Sequence, residues 1–306
     1  MSTILPSPPL STSRWSDETA GMLLGLIAVA IFSLTLPFTR VAVRDLDPTF
    51  VALGRALMGA ALAGLWLLWK RTPLPPRSAL LPLALVAGGC VIGFPWLTSI
   101  AMRSLPASHG AVLTGILPLA TALFSALRGN EKPSIGFWIM ALLGSALVVA
   151  FALRQSGGSF HLADLAMFAA VILAGIGYAE GGRLSQSMGG QQVISWALVL
   201  SAPFLLPYMI WHCWPLGAMF AAAGPASWLG FAYLSVFSMF IGFFFWYRGM
   251  ALGGVARVGQ VQLVQPFLSL IGAAVLLGEA LESENMLFAL AVIVVVAIGR
   301  TMRIRR

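Results

Sequence analysis

Long apolar runs separated by short polar segments dominate the chain. Ten of these runs contain about twenty residues, the helical length that crosses a hydrocarbon core of roughly 30 Å. Because ten such spans use about two thirds of the chain, the connections must be short and no sizeable soluble domain fits. The predicted spans cover residues 21–42, 49–69, 80–101, 107–127, 134–153, 161–181, 192–211, 227–247, 255–277 and 284–300.

The composition supports an all-α polytopic membrane protein. The 306 residues are 59% hydrophobic and 9% charged, with a mean hydropathy of +0.92, so too few polar side chains exist to coat a surface in water. The net charge of +8 does not indicate nucleic acid, because the cations lie in short segments between apolar runs. We expect the partners to be the lipid bilayer and a small-molecule substrate. Cys90 and Cys213 form no ligand pattern, and we expect no cofactor, metal or catalytic residue.

The distribution of cations predicts the orientation. With a cytoplasmic amino terminus, inner segments carry 13 Lys and Arg and outer loops carry 3, while Arg40 and Arg55 lie within spans. We therefore expect a multi-pass protein of the bacterial inner (plasma) membrane, with both termini cytoplasmic. Residues 1–20, rich in Pro, Ser and Thr, are predicted to form a disordered cytoplasmic tail, and residues 301–306 a basic cytoplasmic tail. The first span is predicted to be retained, since no cleavable signal peptide precedes it.

An internal repeat relates the two halves of the chain. Pro118 and Glu131 match Pro266 and Glu279 with equal spacing, and each proline lies deep in an apolar span. The repeat units, residues 21–153 and 161–300, have five spans each. Because five is odd, the second unit enters the bilayer from the opposite side. An inverted duplication of this kind is typical of carriers that work by alternating access.

The matched prolines also predict a polar site. Proline has no amide hydrogen, so Pro118 frees the carbonyl of Thr114 and Pro266 frees that of Gln262. A free carbonyl in lipid costs several kcal/mol unless it faces protein or a wet cavity. A kink satisfied by a neighbouring Ser or Thr is the alternative. The matched placement in both repeats favours a cavity, in which a substrate ammonium group can donate to the carbonyls.

These features resemble the drug/metabolite transporter superfamily of the EamA type. The resemblance covers residues 20 to 300 and is carried by the two five-helix repeats and by the repeated proline-to-glutamate pattern, although Asn130 stands where the second repeat has Gly278. It implies a basket of ten helices, with a central cavity formed mainly by helices 1, 3, 4, 6, 8 and 9. Within this group the chain is most similar to YddG-like exporters of aromatic amino acids.

Polar and aromatic residues on those helices are the predicted substrate site. An amino acid needs a few placed polar groups and an apolar slot, and aromatic side chains can supply rigid faces for a ring. Many Trp and Phe residues of such a chain instead face lipid or anchor the interface. The predicted substrate-binding residues are Ser33, Pro37, Trp96, Ser99, Thr114, Pro118, Tyr178, Ser238, Gln262, Gln265 and Pro266.

Three ionisable residues are predicted to form a gate or vestibule. Arg40 is placed to attract a carboxylate or to extend toward headgroups, and His109 to titrate or simply to be solvated at a helix end. Glu180 is also expected to pair with Arg183 at i, i+3. By position, no ionisable residue lies at the centre of a span. That absence predicts a carrier for a net-neutral zwitterion or weakly polar metabolite, without tight ion coupling.

We therefore expect an exporter of aromatic and other bulky neutral amino acids. An exporter of another small neutral metabolite, a nucleobase or a drug is the alternative. An enzyme is not expected, because the spans show no metal-ligand cluster, Ser/His/Asp arrangement or paired carboxylates. A membrane sensor or scaffold would not explain the matched prolines or the inverted duplication. The sequence leaves both a monomer and a homodimer open.

Overall fold

Helices form at all ten predicted spans in the computed structural model, which describes residues 17–128, 132–155, 161–254, 258–301 and 304–305. A continuous apolar run favours a helix because intrahelical bonds satisfy its backbone polar groups. The ten helices are α1 (Asp17–Ser33 and Thr35–Ala42), α2 (Pro48–Trp69), α3 (Arg77–Ala101), α4 (Ala107–Arg128), α5 (Ile135–Gln155), α6 (Leu162–Met188), α7 (Gly190–Cys213), α8 (Pro225–Gly253), α9 (Gly259–Val264 and Gln265–Leu277) and α10 (Ser283–Thr301).

Seven of the helices in these described ranges, α1 to α4 and α6 to α8, are long and apolar enough to cross a membrane. The remaining three, α5, α9 and α10, are also apolar, and their apolar stretches are shorter. Large apolar side chains point outward from the bundle: Leu68 is 76% exposed, Phe204 78% and Val275 77%. Such exposure is unusual for a protein surface in water and suits contact with lipid.

Smaller elements occupy the connections. A short helix, Leu216–Ala222, lies between α7 and α8. Two-residue strands, Lys132–Pro133 and Ile304–Arg305, pair antiparallel, with Lys132 opposite Arg305 and Pro133 opposite Ile304. The predicted tail at residues 1–20 overlaps α1 at residues 17–20, and its other residues lie outside the described part of the chain. Glu131 also lies outside the described residues.

Helices α6 and α8 extend further than the predicted spans, to Met188 and Gly253 rather than residues 181 and 247. Each is followed by a glycine with positive φ, +86° at Gly189 and +81° at Gly254. Side chains with a Cβ rarely adopt this conformation, so these glycines favour the ends of the helices. The predicted spans end too early because their hydropathy falls at the first polar residues. A helix continues until its backbone geometry changes.

Close contacts define antiparallel helix pairs. A methyl group on Gly21 of α1 would lie 2.5 Å from the backbone nitrogen of Gly253 in α8, and one on Gly89 of α3 would lie 2.3 Å from the carbonyl oxygen of Leu173 in α6. Such spacing requires the absence of a side chain. Residues Gly59 and Leu198 bring α2 against α7, and Arg154 pairs with Glu284 where α5 ends and α10 begins.

Two further pairs run parallel. Helix α4 contacts α6 through His109 and Asp164 near their starts and through Arg128 and Glu180 near their ends. Helix α1 contacts α9 in the same sense, at Gly25 with Val258 and at Leu34 with Gly272. We call the side of the bundle where α1 begins the proximal face and the opposite side the distal face.

The helical geometry changes at corresponding places in the two halves. In α3 a π-helical segment spans Ala87–Gly93, and in α8 another spans Leu234–Ile241. In α4 a 3₁₀ turn spans Thr114–Ile116, and in α9 another spans Gly259–Val264, each just before the matched proline. Proline removes a backbone donor from the turn before it, which explains the local departure from α geometry.

Helices α4 and α9 cross antiparallel and are joined at the distal face by Glu279. Its Oε1 accepts from the amide of Ala107 at 2.9 Å, and its Oε2 accepts from the amide of Ser108 at 2.8 Å. The carboxylate thereby satisfies two amides at the start of α4, where no intrahelical acceptor exists. Near the middle of the pair, Pro266 lies against Gly115, with its Cγ 3.6 Å from the position of a methyl group on that glycine.

We expect Glu279→Ala to lower the free energy of unfolding by about 1–2 kcal/mol, because two amides at the start of α4 lose a charged acceptor. Thermal unfolding in detergent measures the effect. Glu282→Ala is the matched control, since Glu282 lies exposed on the same connection and accepts no amide hydrogen from α4. Equal loss in both variants would show that the cap does not stabilise α4.

Asp45, on the connection between α1 and α2, forms hydrogen bonds with the start of α8. Its Oδ2 accepts from the amide of Gly224 at 3.0 Å and from the hydroxyl of Ser227 at 2.8 Å. The bond from the Gly224 amide, followed by that from Ser227, lowers the pKa of Asp45 below its usual value of 3.8. Both bonds favour the ionised carboxylate over the protonated one.

The lowered pKa predicts a pH dependence of stability. Because the folded pKa of Asp45 lies below the unfolded one, its contribution is present above about pH 4 and is lost as the pH falls through the folded pKa. Wild type should therefore be more stable than Asp45→Asn near neutral pH, and the difference should shrink on acidification. Melting curves of both proteins from pH 7 to pH 3 test this. A difference that stays constant with pH would contradict it.

Candidate functional site

A small cavity of about 20 Å³ lies between the helices at the middle of the bundle, with room for about one water molecule. All six helices named by the family resemblance line it, and α2 contributes as well. Because the cavity is nearly closed, a ligand larger than water requires the helices to move apart. The lining residues are Phe32, Thr35, Leu36, Arg55, Cys90, Phe94, Thr114, Ala174, Tyr178, Ser238, Phe243 and Gln265.

A cluster of three polar residues forms one side of the cavity. Arg55 donates from Nη2 to the hydroxyl of Ser238 at 2.8 Å, and the Ser238 and Thr35 hydroxyls lie 2.9 Å apart. All three residues are buried, and Arg55 is only 2% exposed. Ser238 lies near the middle of α8, so the guanidinium reaches the centre of the bundle. The prediction that no ionisable group is central was therefore wrong.

The error has a geometric cause. The sequence gives the depth of the Arg55 backbone, about two turns inside α2, but an arginine side chain places its charge several ångströms from its Cα. The direction of that side chain follows from packing against α1 and α8. The sequence does contain one indication of this role. Arg55 lies inside an apolar span that has no acidic residue to pair with it. An intramembrane ionisable residue is by default a functional hypothesis.

Aromatic rings form another side of the cavity. The ring of Phe32 lies 6.5 Å from that of Tyr178 and 5.0 Å from that of Phe243, and the Tyr178 and Phe243 rings are 6.1 Å apart. Trp246 packs behind them, with its ring 5.4 Å from Tyr178. Aromatic neighbours at these distances restrict one another and present a rigid apolar wall.

Helices α4 and α9 supply polar groups near their matched prolines. Thr114 and Gln265 line the cavity, and the Thr114 hydroxyl donates to the carbonyl of Ala111 at 2.8 Å. Gln262 is 2% exposed, and both polar atoms of its side chain lack a partner among the described residues. Pro118 and Pro266 are buried in the same region without forming part of the lining.

Four of the predicted residues lie elsewhere. Ser33 donates to the carbonyl of Val29 at 2.6 Å, and Pro37 packs toward Gly272 of α9. Trp96 donates from Nε1 to Thr49 at 3.2 Å, with its ring edge against Tyr208 at 5.8 Å. Ser99 is fully buried and, within the described part of the chain, its hydroxyl has no partner. A role for these four in binding stays a prediction.

At the distal face, Arg40 and His109 make specific contacts. Arg40 Nη1 donates to the carbonyls of Met102 at 2.7 Å and Leu105 at 2.6 Å, at the end of α3. His109 is buried with its Nε2 2.8 Å from Oδ1 of Asp164, so it is neither isolated nor solvated. The sequence analysis missed Asp164 because the two residues are 55 positions apart. These contacts tie α1 to α3 and α4 to α6.

At the proximal face, Glu180 is buried between two arginines. Its Oε2 accepts from Arg183 Nη2 at 3.0 Å, which confirms the predicted i, i+3 pair, and its Oε1 accepts from Nε of Arg128 on α4. The arginine side chains are half exposed. The carboxylate therefore links the ends of α4 and α6 on the side opposite to the His109–Asp164 pair.

Comparison with known proteins identifies the family. Two segments, residues 19–152 and 161–299, match the model of the EamA-like transporter family. The chain belongs to this family. This EamA-type transporter is 48% identical over 285 residues to a Bacillus subtilis (strain 168) protein described as the uncharacterized transporter YdeK, covering 93% of this chain and 98% of that protein.

More distant relatives agree with the assignment. An Archaeoglobus fulgidus protein described as an uncharacterized transporter is 21% identical over 260 residues, or 84% of this chain and 89% of that one. The aromatic amino acid exporter YddG of Ancylobacter novellus is 25% identical over 225 residues, or 71% of this chain and 75% of that one. A crystal structure with 21% identity shares the fold with a TM-score of 0.64 and covers 93% of this chain and 99% of that chain.

Proposed function

We propose that this EamA-type transporter exports amino acids with aromatic or other bulky neutral side chains across the bacterial inner membrane, with both termini in the cytoplasm. The observation that carries the proposal is the central cavity, where Phe32, Tyr178 and Phe243 face a small set of polar groups. An apolar wall with few polar groups suits a ligand that has a bulky side chain and a compact polar end. The relative named as an aromatic amino acid exporter supports the same substrate class.

The proposed mechanism is alternating access between two inverted repeats. Three observations support the duplication: the family model matches twice, π-helical segments recur in α3 and α8, and 3₁₀ turns recur in α4 and α9. The contacts agree as well, because α1 packs on α8 and α9 while α6 packs on α3 and α4. In the proposed cycle the repeats rock about the cavity and expose it to one face at a time.

The distal and proximal contacts would then act as alternating closures. The His109–Asp164 pair joins α4 of the first repeat to α6 of the second at the distal face, and the Arg128–Glu180 pair joins the same helices at the proximal face. Opening the cavity to the distal face breaks the distal contact and keeps the proximal one, and opening it to the proximal face does the reverse. Between these two open states lies a closed state in which both contacts are formed. Substrate binding must favour this closed state for transport to proceed.

We further propose that transport is not tightly coupled to protons. In the described part of the chain, no carboxylate lines the cavity. A carboxylate that alternates between a proton and a substrate is the simplest coupling device in such a site. A facilitator would move substrate down its own gradient only.

Purified protein in proteoliposomes tests both parts. Counterflow of labelled phenylalanine should occur, unlabelled tryptophan and tyrosine should compete, and nucleobases and neutral drugs should compete weakly or not at all. Transport of a nucleobase or drug without any aromatic amino acid flux would contradict the proposed substrate class. Uphill accumulation of phenylalanine driven by a pH gradient alone would contradict uncoupled transport.

A further inference from the structure

We propose that Arg55 binds the carboxylate of the transported substrate in the central cavity, an assignment that rests on the proposed function. The substrate class is thereby narrowed to amino acids with a free carboxylate, in contrast to amines, amides, nucleobases and neutral drugs. Sequence analysis assigned no role to Arg55, and the inference follows from the burial of its side chain and the groups around it.

The guanidinium of Arg55 has an incomplete set of hydrogen bonds. Arginine carries five N–H donors in a planar fork. In the described structure, Nη2 of Arg55 donates to Ser238, whereas Nε and Nη1, which together carry three N–H groups, have no partner. At 2% exposure these donors cannot reach bulk water through the surface. A buried charge without partners costs several kcal/mol, so the site is built for a group that the protein does not supply.

The group that completes the site carries negative charge. No carboxylate of the described residues lies within salt-bridge distance of Arg55, and the buried or capping carboxylates of the bundle have partners elsewhere. The missing counter-charge must therefore enter with the ligand. The carboxylates with other partners are Asp45, Asp47, Asp164, Glu180 and Glu279.

The shape of a guanidinium also matches that of a carboxylate. A carboxylate accepts two parallel N–H bonds from one edge of a guanidinium, an arrangement that a single cation such as Lys cannot offer. Ser238 of α8 accepts from the guanidinium, and its hydroxyl shares a second hydrogen bond with Thr35 of α1, which fixes the position of the acceptor. Phe32, Tyr178 and Phe243 lie in the same cavity and can receive the side chain of the amino acid whose carboxylate Arg55 holds.

The alternative is a structural role, in which Arg55 only joins α2 to α8 through Ser238. The two roles differ in selectivity. Loss of a structural link lowers flux of every substrate in proportion, whereas loss of a carboxylate partner lowers flux of carboxylates alone. Phenylalanine and phenylalaninamide make the required pair, because they share the ring and the amino group and differ at the carboxylate.

The experiment is competition of labelled phenylalanine counterflow by both compounds in proteoliposomes of wild type, Arg55→Gln, Arg55→Lys and the control Arg103→Gln. Arg103 is an exposed cation on the connection between α3 and α4. In wild type and the control, we expect the amide to compete roughly 10- to 100-fold more weakly than phenylalanine, the range of a charge-assisted hydrogen bond. Arg55→Gln should lose that preference to within about threefold, and Arg55→Lys should retain an intermediate preference.

Each outcome is decisive. Absence of aromatic amino acid transport by wild type would overturn the proposed function and this assignment with it. Normal phenylalanine flux in wild type combined with an unchanged preference in Arg55→Gln would overturn the role of Arg55 and leave the proposed function standing. If Arg55→Gln does not fold or shows no measurable phenylalanine counterflow, wild type and Arg55→Lys decide: equal competition by phenylalanine and its amide in wild type, or an unchanged preference in Arg55→Lys, would overturn the assignment.

Discussion

Replacing Gly89 by alanine should destabilise the protein by about 3 kcal/mol or more, because the added methyl group would lie 2.3 Å from the carbonyl oxygen of Leu173. That atom belongs to the backbone of α6 and cannot rotate away as a side chain can. Relief requires α3 and α6 to separate along their whole contact. Since both helices line the central cavity, we expect loss of folded protein and of transport together.

Gly88→Ala is the matched control for this prediction. The two glycines are adjacent in the same π-helical segment, yet a methyl group on Gly88 would have no neighbour within 4 Å. We expect Gly88→Ala to change the free energy of unfolding by no more than about 1 kcal/mol, the usual difference in helix propensity between Gly and Ala. Thermal unfolding and the monodisperse fraction in detergent measure both. Equal stability of the two variants would show that the α3–α6 contact is loose.

The positions of the helices were predictable because lipid imposes a strict rule on sequence. A span needs about twenty apolar residues, and polar residues mark its ends. The rule predicts the middles of the helices well and their ends less well, as α6 shows. Glu180 and Arg183 look like the start of a loop in sequence, but Glu180 is buried by pairing across to Arg128 and the helix continues to Met188.

The matched prolines were informative for a related reason. A missing backbone donor has local consequences that do not depend on tertiary packing, so the disturbed turns at Thr114 and Gln262 follow from the sequence alone. The residues that line the cavity do not follow in this way. Helices in a membrane bundle are apolar on most sides, and so they lack the polar stripe that identifies the exposed face of a helix in water.

Trp96 and Arg55 show what this lack of a stripe does. Trp96 is a predicted substrate contact, and the rotation of α3 directs its indole toward Thr49 and Tyr208. Arg55 lies about two turns inside its span, and the rotation of α2 directs its guanidinium to Ser238. Long-range pairs such as His109 with Asp164 are likewise set by packing between helices. Hydropathy locates a helix along the chain. It does not give the rotation of the helix about its axis, which decides where each side chain points.

We expect Tyr178→Ala to lower the proposed transport of aromatic amino acids roughly 10- to 100-fold, because the ring is one face of the cavity and its loss removes an aromatic contact and its buried area. Tyr178→Phe keeps the ring and its contacts with Phe32 and Phe243, and should stay within about threefold of wild type. An aromatic-to-alanine change in a core also lowers the free energy of unfolding by about 3–5 kcal/mol, because it leaves a void. Flux must therefore be expressed per folded protein recovered from the liposomes.

Trp96→Ala is the informative comparison, since sequence analysis selects both aromatic residues whereas the structure brings only Tyr178 to the cavity. If substrate passes through the cavity, Trp96→Ala should retain most of the flux per folded protein and Tyr178→Ala should not. Large loss in Trp96→Ala with normal flux in Tyr178→Ala would move the substrate path to the region between α2, α3 and α7. In that case Arg55 and the ring of Phe32 would have to be reinterpreted as packing within the bundle.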